Sequence, residues 1–315
     1  MKKKRDLVIL AVSLALIVFS AAVAVSRLGG RGASKQAEQE LRNLYHAEQA
    51  KGTGIPTLTP APPPEKEIPE ETAAPSAVIA EAPAEEAPAE AAPEPVRITR
   101  LKRSMYPRNP GLRISESFKD LRKQNADIVG WLTVGKMLDE AVVQRDNEFY
   151  MDHDVSLRAN AAGAVFLDQI VSLRSRPYSL VLYGHNMRDG SRFGWLRKYE
   201  DPKFYRENLF IDFNTVYEEG RYVIFSEGTI STEETDSNYL DFFDLDSLRE
   251  DDRERAIGVL QAVSVHDSGI DVRTDDQLLV LVTCVDKDTD RRIVAARRVR
   301  EDETETGLRE TVVRN

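Results

Sequence analysis

The first apolar segment of the 315-residue chain is Leu7–Val25, a run that contains no charged residue. A helix needs about 20 apolar residues to cross a bilayer. The basic cluster Lys2–Arg5 in front of it predicts a cytoplasmic N-terminus. We therefore interpret residues 1–31 as a cytoplasmic basic cluster and a transmembrane signal-anchor. The alternative is a cleaved signal peptide, whose apolar region would be about 7–15 residues long; in either case the remainder is exported.

Polar residues dominate the next segment, residues 32–112. Residues 34–51 have the composition of a short polar helix just outside the membrane. Residues 52–96 are rich in proline, alanine and glutamate and contain no aromatic residue, so they cannot bury enough apolar surface to fold. An extended chain of about 45 such residues could reach about 140 Å. We interpret this segment as a juxtamembrane helix followed by a disordered stalk.

From residue 113 to residue 300 short apolar runs alternate with polar turns, which is typical of strands. The pattern predicts a mostly β domain with inserted helices, folded as a closed or nearly closed barrel and not as a doubly wound sheet. The predicted strands are Ile128–Val134, Ala141–Gln144, Gly163–Leu167, Ser179–Tyr183, Leu209–Asn214, Arg221–Ser226, Leu278–Thr283 and Arg292–Val299.

Helical spacing of apolar residues places the inserted helices between these strands. They are predicted at Ser115–Asn125, Ser191–Tyr199, Pro202–Glu207 and Leu245–Ala262. Residues 301–315 are polar, and we expect this tail to be frayed.

The net charge and the number of cysteines limit the partners and the kinds of site that the chain can have. The net charge of −10 argues against nucleic acid as a partner. A single cysteine excludes an internal disulfide framework and a multi-cysteine metal site. Asp286, Asp288 and Asp290 alternate in a turn, which we interpret as solvated and not as a calcium cage. We expect no metal and no cofactor.

That single cysteine, Cys284, ends one predicted strand, and Arg292 begins the next. His185 also follows a strand end directly. A thiolate is a strong nucleophile, a histidine can serve it as acid or base, and an arginine can stabilise a developing oxyanion. The alternative is a buried structural cysteine with a surface arginine, in a non-catalytic stalked surface module.

Several segments, taken in order, resemble the class B sortases. They are NADIVGWL at Asn125–Leu132, VVQRDNEFYMDHD at Val142–Asp154, GAVFLD at Gly163–Asp168, YGHNMRDGSRF at Tyr183–Phe193 and VLVTC at Val280–Cys284. The last segment stands where that family has TLxTC, with Val280 in place of the first threonine. The resemblance implies an eight-stranded β-barrel.

By the same resemblance, Cys284 is the nucleophile, His185 is the acid/base and Thr283 is a substrate-binding position. Arg292 matches the family's essential arginine, although Arg291 beside it leaves an ambiguity of one residue. Strand alternation separates the two arginines onto opposite faces, but the sequence does not reveal which face lines the cleft.

The resemblance implies a membrane-anchored cysteine transpeptidase whose catalytic domain is extracytoplasmic. Its partners would be exported proteins that bear a C-terminal sorting signal, the amine of a peptidoglycan precursor, and the membrane through residues 7–25. A class C sortase that polymerises pilin is an alternative, but no lid segment with an aspartate-aromatic motif is evident before the barrel. A papain-like hydrolase is disfavoured because Cys284 lies late in the chain.

Overall fold

The computed structural model describes residues 32–51, 99–284 and 289–314. The predicted membrane span and the proline-rich part of the predicted stalk lie outside the described residues. Within the described ranges, no helix has the length and apolar character needed to cross a bilayer.

Eight strands in the described part of the chain close into a barrel with the order β1-β2-β3-β4-β7-β8-β6-β5. This confirms the predicted barrel. Neighbouring strands are antiparallel except for the parallel pairs β2/β3 and β4/β7. The strands are β1 Ile128–Val134, β2 Leu138–Val143, β3 Val165–Leu167, β4 Ser179–Tyr183, β5 Phe210–Thr215, β6 Arg221–Ser231, β7 Leu278–Cys284 and β8 Asp290–Arg298.

Helices in the described ranges lie outside and between the strands. They are α1 at residues 32–50, α2 Glu116–Gln124, α3 Pro202–Glu207, α4 Phe242–Leu245, α5 Glu250–Ala262 and α6 Glu305–Arg314. Two short 3-10 helices cover Phe149–Met151 and Leu196–Glu200.

The long helix predicted at Leu245–Ala262 is broken at Asp246. The Asp246 carboxylate accepts hydrogen bonds from the backbone amides of Tyr178 and Ser179, at 2.8 and 3.3 Å. It also pairs with Arg103. Because Asp246 is held by the start of β4, the chain leaves the helix there and α5 begins four residues later.

The C-terminal tail is helical, so the expectation of a frayed tail was wrong. Leu308 and Val312 lie four residues apart, on one face of α6, and both are buried. Just before α6, Glu303 pairs with the buried guanidinium of Arg297. These apolar contacts and ion pairs, which include Glu305 with Arg221, attach the tail to the barrel.

Helix α1 packs directly against the barrel. Its Leu41 and Tyr45 are buried, and the Tyr45 ring stacks on Trp131 of β1 with 4.3 Å between ring centroids. Residues 99–112 also pack on the domain, where the buried Tyr106 hydroxyl donates to Leu173 O at 3.0 Å. Both segments were assigned by sequence to the region ahead of the domain.

Candidate functional site

The parallel pairing of β4 and β7 brings His185 and Cys284 to one end of the barrel. Tyr183 is the register partner of Val282, and the Gly184 amide donates to Val282 O at 3.2 Å. His185 and Cys284 each lie two residues beyond these partners. The strand ends are joined by Asn186, whose Nδ2 donates to Cys284 O at 3.1 Å.

Backbone contacts on two sides hold His185. Its Nε2 is 2.6 Å from the carbonyl oxygen of Met151, in the first 3-10 helix. Its own carbonyl oxygen accepts from the amides of Met187 and Phe193, both at 3.0 Å. A Cβ on Gly184 would lie 2.9 Å from the Phe193 ring, so glycine permits this close approach of the loop to the strand. The half-buried imidazole is therefore presented at the rim of the barrel.

Cys284 is exposed, whereas the other residues of β7, Leu278–Thr283, are buried. This pattern fixes the strand in the core and leaves its terminal thiol open to solvent. The finding contradicts the interpretation of Cys284 as a buried structural residue. That interpretation was the main argument for a non-catalytic surface module.

The two adjacent arginines of β8 lie on different faces of the sheet. Arg291 is the cross-strand partner of Cys284, and Arg292 is the partner of Thr283. Directly opposed residues of antiparallel strands project to the same face. Arg291 therefore shares the face of Cys284. Burial raises the pKa of the Tyr183 hydroxyl on that face, and the charge of Arg291 partly offsets the rise.

Arg292 points to the other face, where its guanidinium forms an ion pair with Glu200 at the end of the second 3-10 helix. Its neighbour across the ladder, Thr283, is 3% exposed, and the Thr283 hydroxyl has no hydrogen-bond partner in the described part of the protein. Thr283 thus supports the strand end from inside and does not line an open surface. The register thus assigns each arginine to one face of the sheet, and Arg291 to that of Cys284.

Three residues that sequence reasoning did not single out shape this region. Asn186 joins the strand ends, and Glu200 holds Arg292. Asp168, after β3, accepts from the Tyr183 hydroxyl at 2.8 Å and from Asn147 Nδ2 at 3.1 Å. Asn186 could have been found from its place beside His185. Glu200 carries no such signal, because its partner lies 92 residues away.

Comparison with known proteins gives a consistent result. No family model matches the chain. Sortase B of Staphylococcus aureus (strain NCTC 8325 / PS 47) is 28% identical over 190 residues, which cover 59% of this chain and 75% of the relative. Sortase B of Listeria monocytogenes serovar 1/2a (strain ATCC BAA-679 / EGD-e) is 28% identical over 176 residues, covering 54% and 68%. A solved Staphylococcus aureus sortase B–substrate complex has a TM-score of 0.54 at 26% identity, covering 60% of this chain and 88% of that one.

The fold and these likenesses agree. A closed eight-stranded barrel carries a solvent-exposed thiol at the end of β7, and a histidine loop lies beside it. The chain is similar in sequence and in fold to class B sortases, and these likenesses support a sortase enzyme of the transpeptidase type.

Proposed function

We propose that this transpeptidase is membrane-anchored, cleaves a C-terminal sorting signal of exported proteins and joins them to an amine of the cell wall. The observation that carries the proposal is the exposed Cys284 on a strand end next to His185. Residues 7–25 would anchor the chain, with the N-terminus cytoplasmic and the barrel outside the membrane. A nucleophile on that side suits substrates that are themselves exported.

The proposed reaction has two acyl-transfer steps. The Cys284 thiolate attacks the threonine carbonyl carbon of the sorting signal, which forms an S–C bond. The C–N bond then breaks, and His185 donates the proton that the leaving amine requires. In the second step the acceptor amine attacks the thioester, a new amide C–N bond forms, and the thiolate is regenerated. His185 takes up the proton that the acceptor amine releases.

The proposed role for an arginine is to stabilise the oxyanion that develops on that carbonyl. Sequence resemblance assigned this role to Arg292. The strand register favours Arg291, which lies opposite Cys284, whereas Arg292 faces Glu200. We therefore assign the carbonyl contact to Arg291 and expect Arg292 to act only indirectly.

The substrate class rests on the relatives. The Staphylococcus aureus sortase B has been solved as a substrate complex, which supports a substrate site on the matching barrel of this chain. We propose that the substrate is a sorting-signal peptide that binds beside Cys284, and the acceptor would be a peptidoglycan precursor amine. No observation favours a pilin-polymerising activity.

The test compares wild type with Cys284→Ala and Cys284→Ser on a library of fluorogenic sorting peptides, and the cleaved bond is identified by mass. We expect wild type to cleave a subset of the peptides, and both variants to lose at least about 1000-fold in rate. Thermal unfolding of the variants serves as the folding control. Equal cleavage by wild type and the alanine variant would refute the mechanism.

A further inference from the structure

Arg192 is a buried cation in the loop that carries His185. Its side chain is 5% exposed and lies between two carboxylates, with Nη1 2.6 Å from Glu140 Oε2 and Nη2 2.6 Å from Glu38 Oε1. Its Nε donates to Gly163 O at 3.0 Å. Removing one partner of a buried ion pair leaves a charge without compensation. These contacts therefore hold the guanidinium in one position.

The backbone of Arg192 connects this guanidinium to His185. Arg192 forms an isolated β-bridge with Asn186, and the amide of the next residue, Phe193, donates to His185 O. The φ angle of Arg192 is +51°, in the left-handed region that is unfavourable for a residue with a side chain. Such a conformation persists only where its surroundings impose it. The side-chain contacts of Arg192 thus define where the histidine loop lies.

One of those contacts comes from α1, which precedes the barrel in sequence by more than 60 residues. Glu38 approaches Arg192 from α1, whereas Glu140 belongs to β2. The neighbouring carboxylate of β2, Asp139, holds the same helix through Arg42 and His46, at 3.2 and 2.8 Å. Two adjacent acids of one strand therefore link α1 to the barrel, and one of them does so through the histidine loop.

We propose that Glu38 is a positioning residue: through Arg192, docked α1 holds the His185 loop in register with Cys284. The inference rests on the proposed function and adds that the docking of α1 affects the alignment of His185. With α1 docked, Arg192 has both carboxylates and the loop is fixed. When the Glu38 contact is lost, the loop gains freedom and His185 is less often aligned with the thiol.

The test uses the full chain in detergent and compares Glu38→Gln with Glu38→Asp, which keeps the charge. The matched control is Glu40→Gln, the same chemical change at an exposed position of the same helix. We measure hydrogen exchange of residues 185–193, thermal unfolding, and kcat and KM for peptide cleavage.

We expect Glu38→Gln to speed exchange in this loop and to lower kcat about tenfold with little change in KM, because alignment and not substrate binding is affected. Glu38→Asp should restore most of both, and Glu40→Gln should match wild type. Exchange in residues 185–193 that is the same in Glu38→Gln as in wild type overturns the proposal. If exchange rises but wild type cleaves no peptide, the coupling stands and the proposed function fails.

Discussion

At the scale of single residues, the two arginines that open β8 can be separated by experiment. Arg291 lies opposite Cys284, and Arg292 lies opposite the buried Thr283. We expect Arg291→Ala to lower kcat/KM for peptide cleavage by about 100-fold or more, because it removes a cation from the face of the thiol.

Arg292→Ala is the matched comparison and should cost less than about fivefold, since it breaks a half-exposed ion pair with Glu200. A larger loss in Arg292→Ala than in Arg291→Ala would show that the arginine matched by sequence resemblance, and not the strand register, identifies the functional residue.

A second residue-scale prediction concerns Glu227, a carboxyl of β6 that is 3% exposed. Its Oε1 accepts from the His266 amide at 3.1 Å, whereas Oε2 has no hydrogen-bond partner among the described residues. Burial raises the pKa of Glu227 from 4.5 to about 8. Between these values the folded state keeps a proton that the unfolded state has lost, so the free energy of unfolding falls as pH rises.

Glu227→Gln removes the ionisable group, and we expect it to flatten this fall between about pH 5 and pH 8. Urea unfolding at pH 5, 7 and 9 measures the effect, which should be on the order of 2–4 kcal/mol across the range. Glu234→Gln, an exposed carboxyl in the next loop, is the control. A Glu227→Gln variant with the same pH slope as wild type would contradict the expectation.

At the scale of elements, Arg253 fixes α5 to the segment that leads into β7. Its fully buried guanidinium donates to the carbonyl oxygens of Leu245, Thr274 and Asp276. It also lies over the Tyr178 ring, with Cζ 4.6 Å from the ring centroid. One side chain thus joins the end of α4, the first turn of α5 and the segment just before the strand that carries Cys284.

Arg253→Met should lower the free energy of unfolding by about 3 kcal/mol or more, because three carbonyl oxygens lose their donor. Thermal and urea unfolding measure this loss. Arg255→Met, on the exposed side of the same helix, is the control and should stay within about 0.5 kcal/mol of wild type. Equal destabilisation by the two changes would mean that Arg253 does not join these elements.

At the scale of the whole molecule, local pattern located most strands but not their neighbours. The apolar runs of β4 and β7 are evident because both faces of these strands are buried. Their parallel pairing joins residues about 100 positions apart, which no local period encodes. The prediction that His185 lies close to Cys284 therefore rested on the family resemblance and not on residue spacing.

Other features could not be predicted from the sequence, for related physical reasons. A hairpin register cannot be read without its loop geometry, so Arg291 and Arg292 could not be distinguished. Only two apolar residues attach α6, too few for a clear helical period. The docking of α1 depends on contacts such as Arg42 with Asp139, 97 residues away.

That docking has a consequence for the span between bilayer and barrel. Residues 51 and 99 flank the proline-rich residues 52–98. Both belong to segments that pack on the barrel. Because α1 and residues 99–112 both pack on the barrel, the distance from the proposed anchor to the barrel depends on the residues ahead of α1. With the anchor proposed at residues 7–25, only residues 26–31 separate bilayer from barrel. Six residues extend at most about 20 Å, so on the proposed anchoring we expect the thiol to lie near the membrane surface.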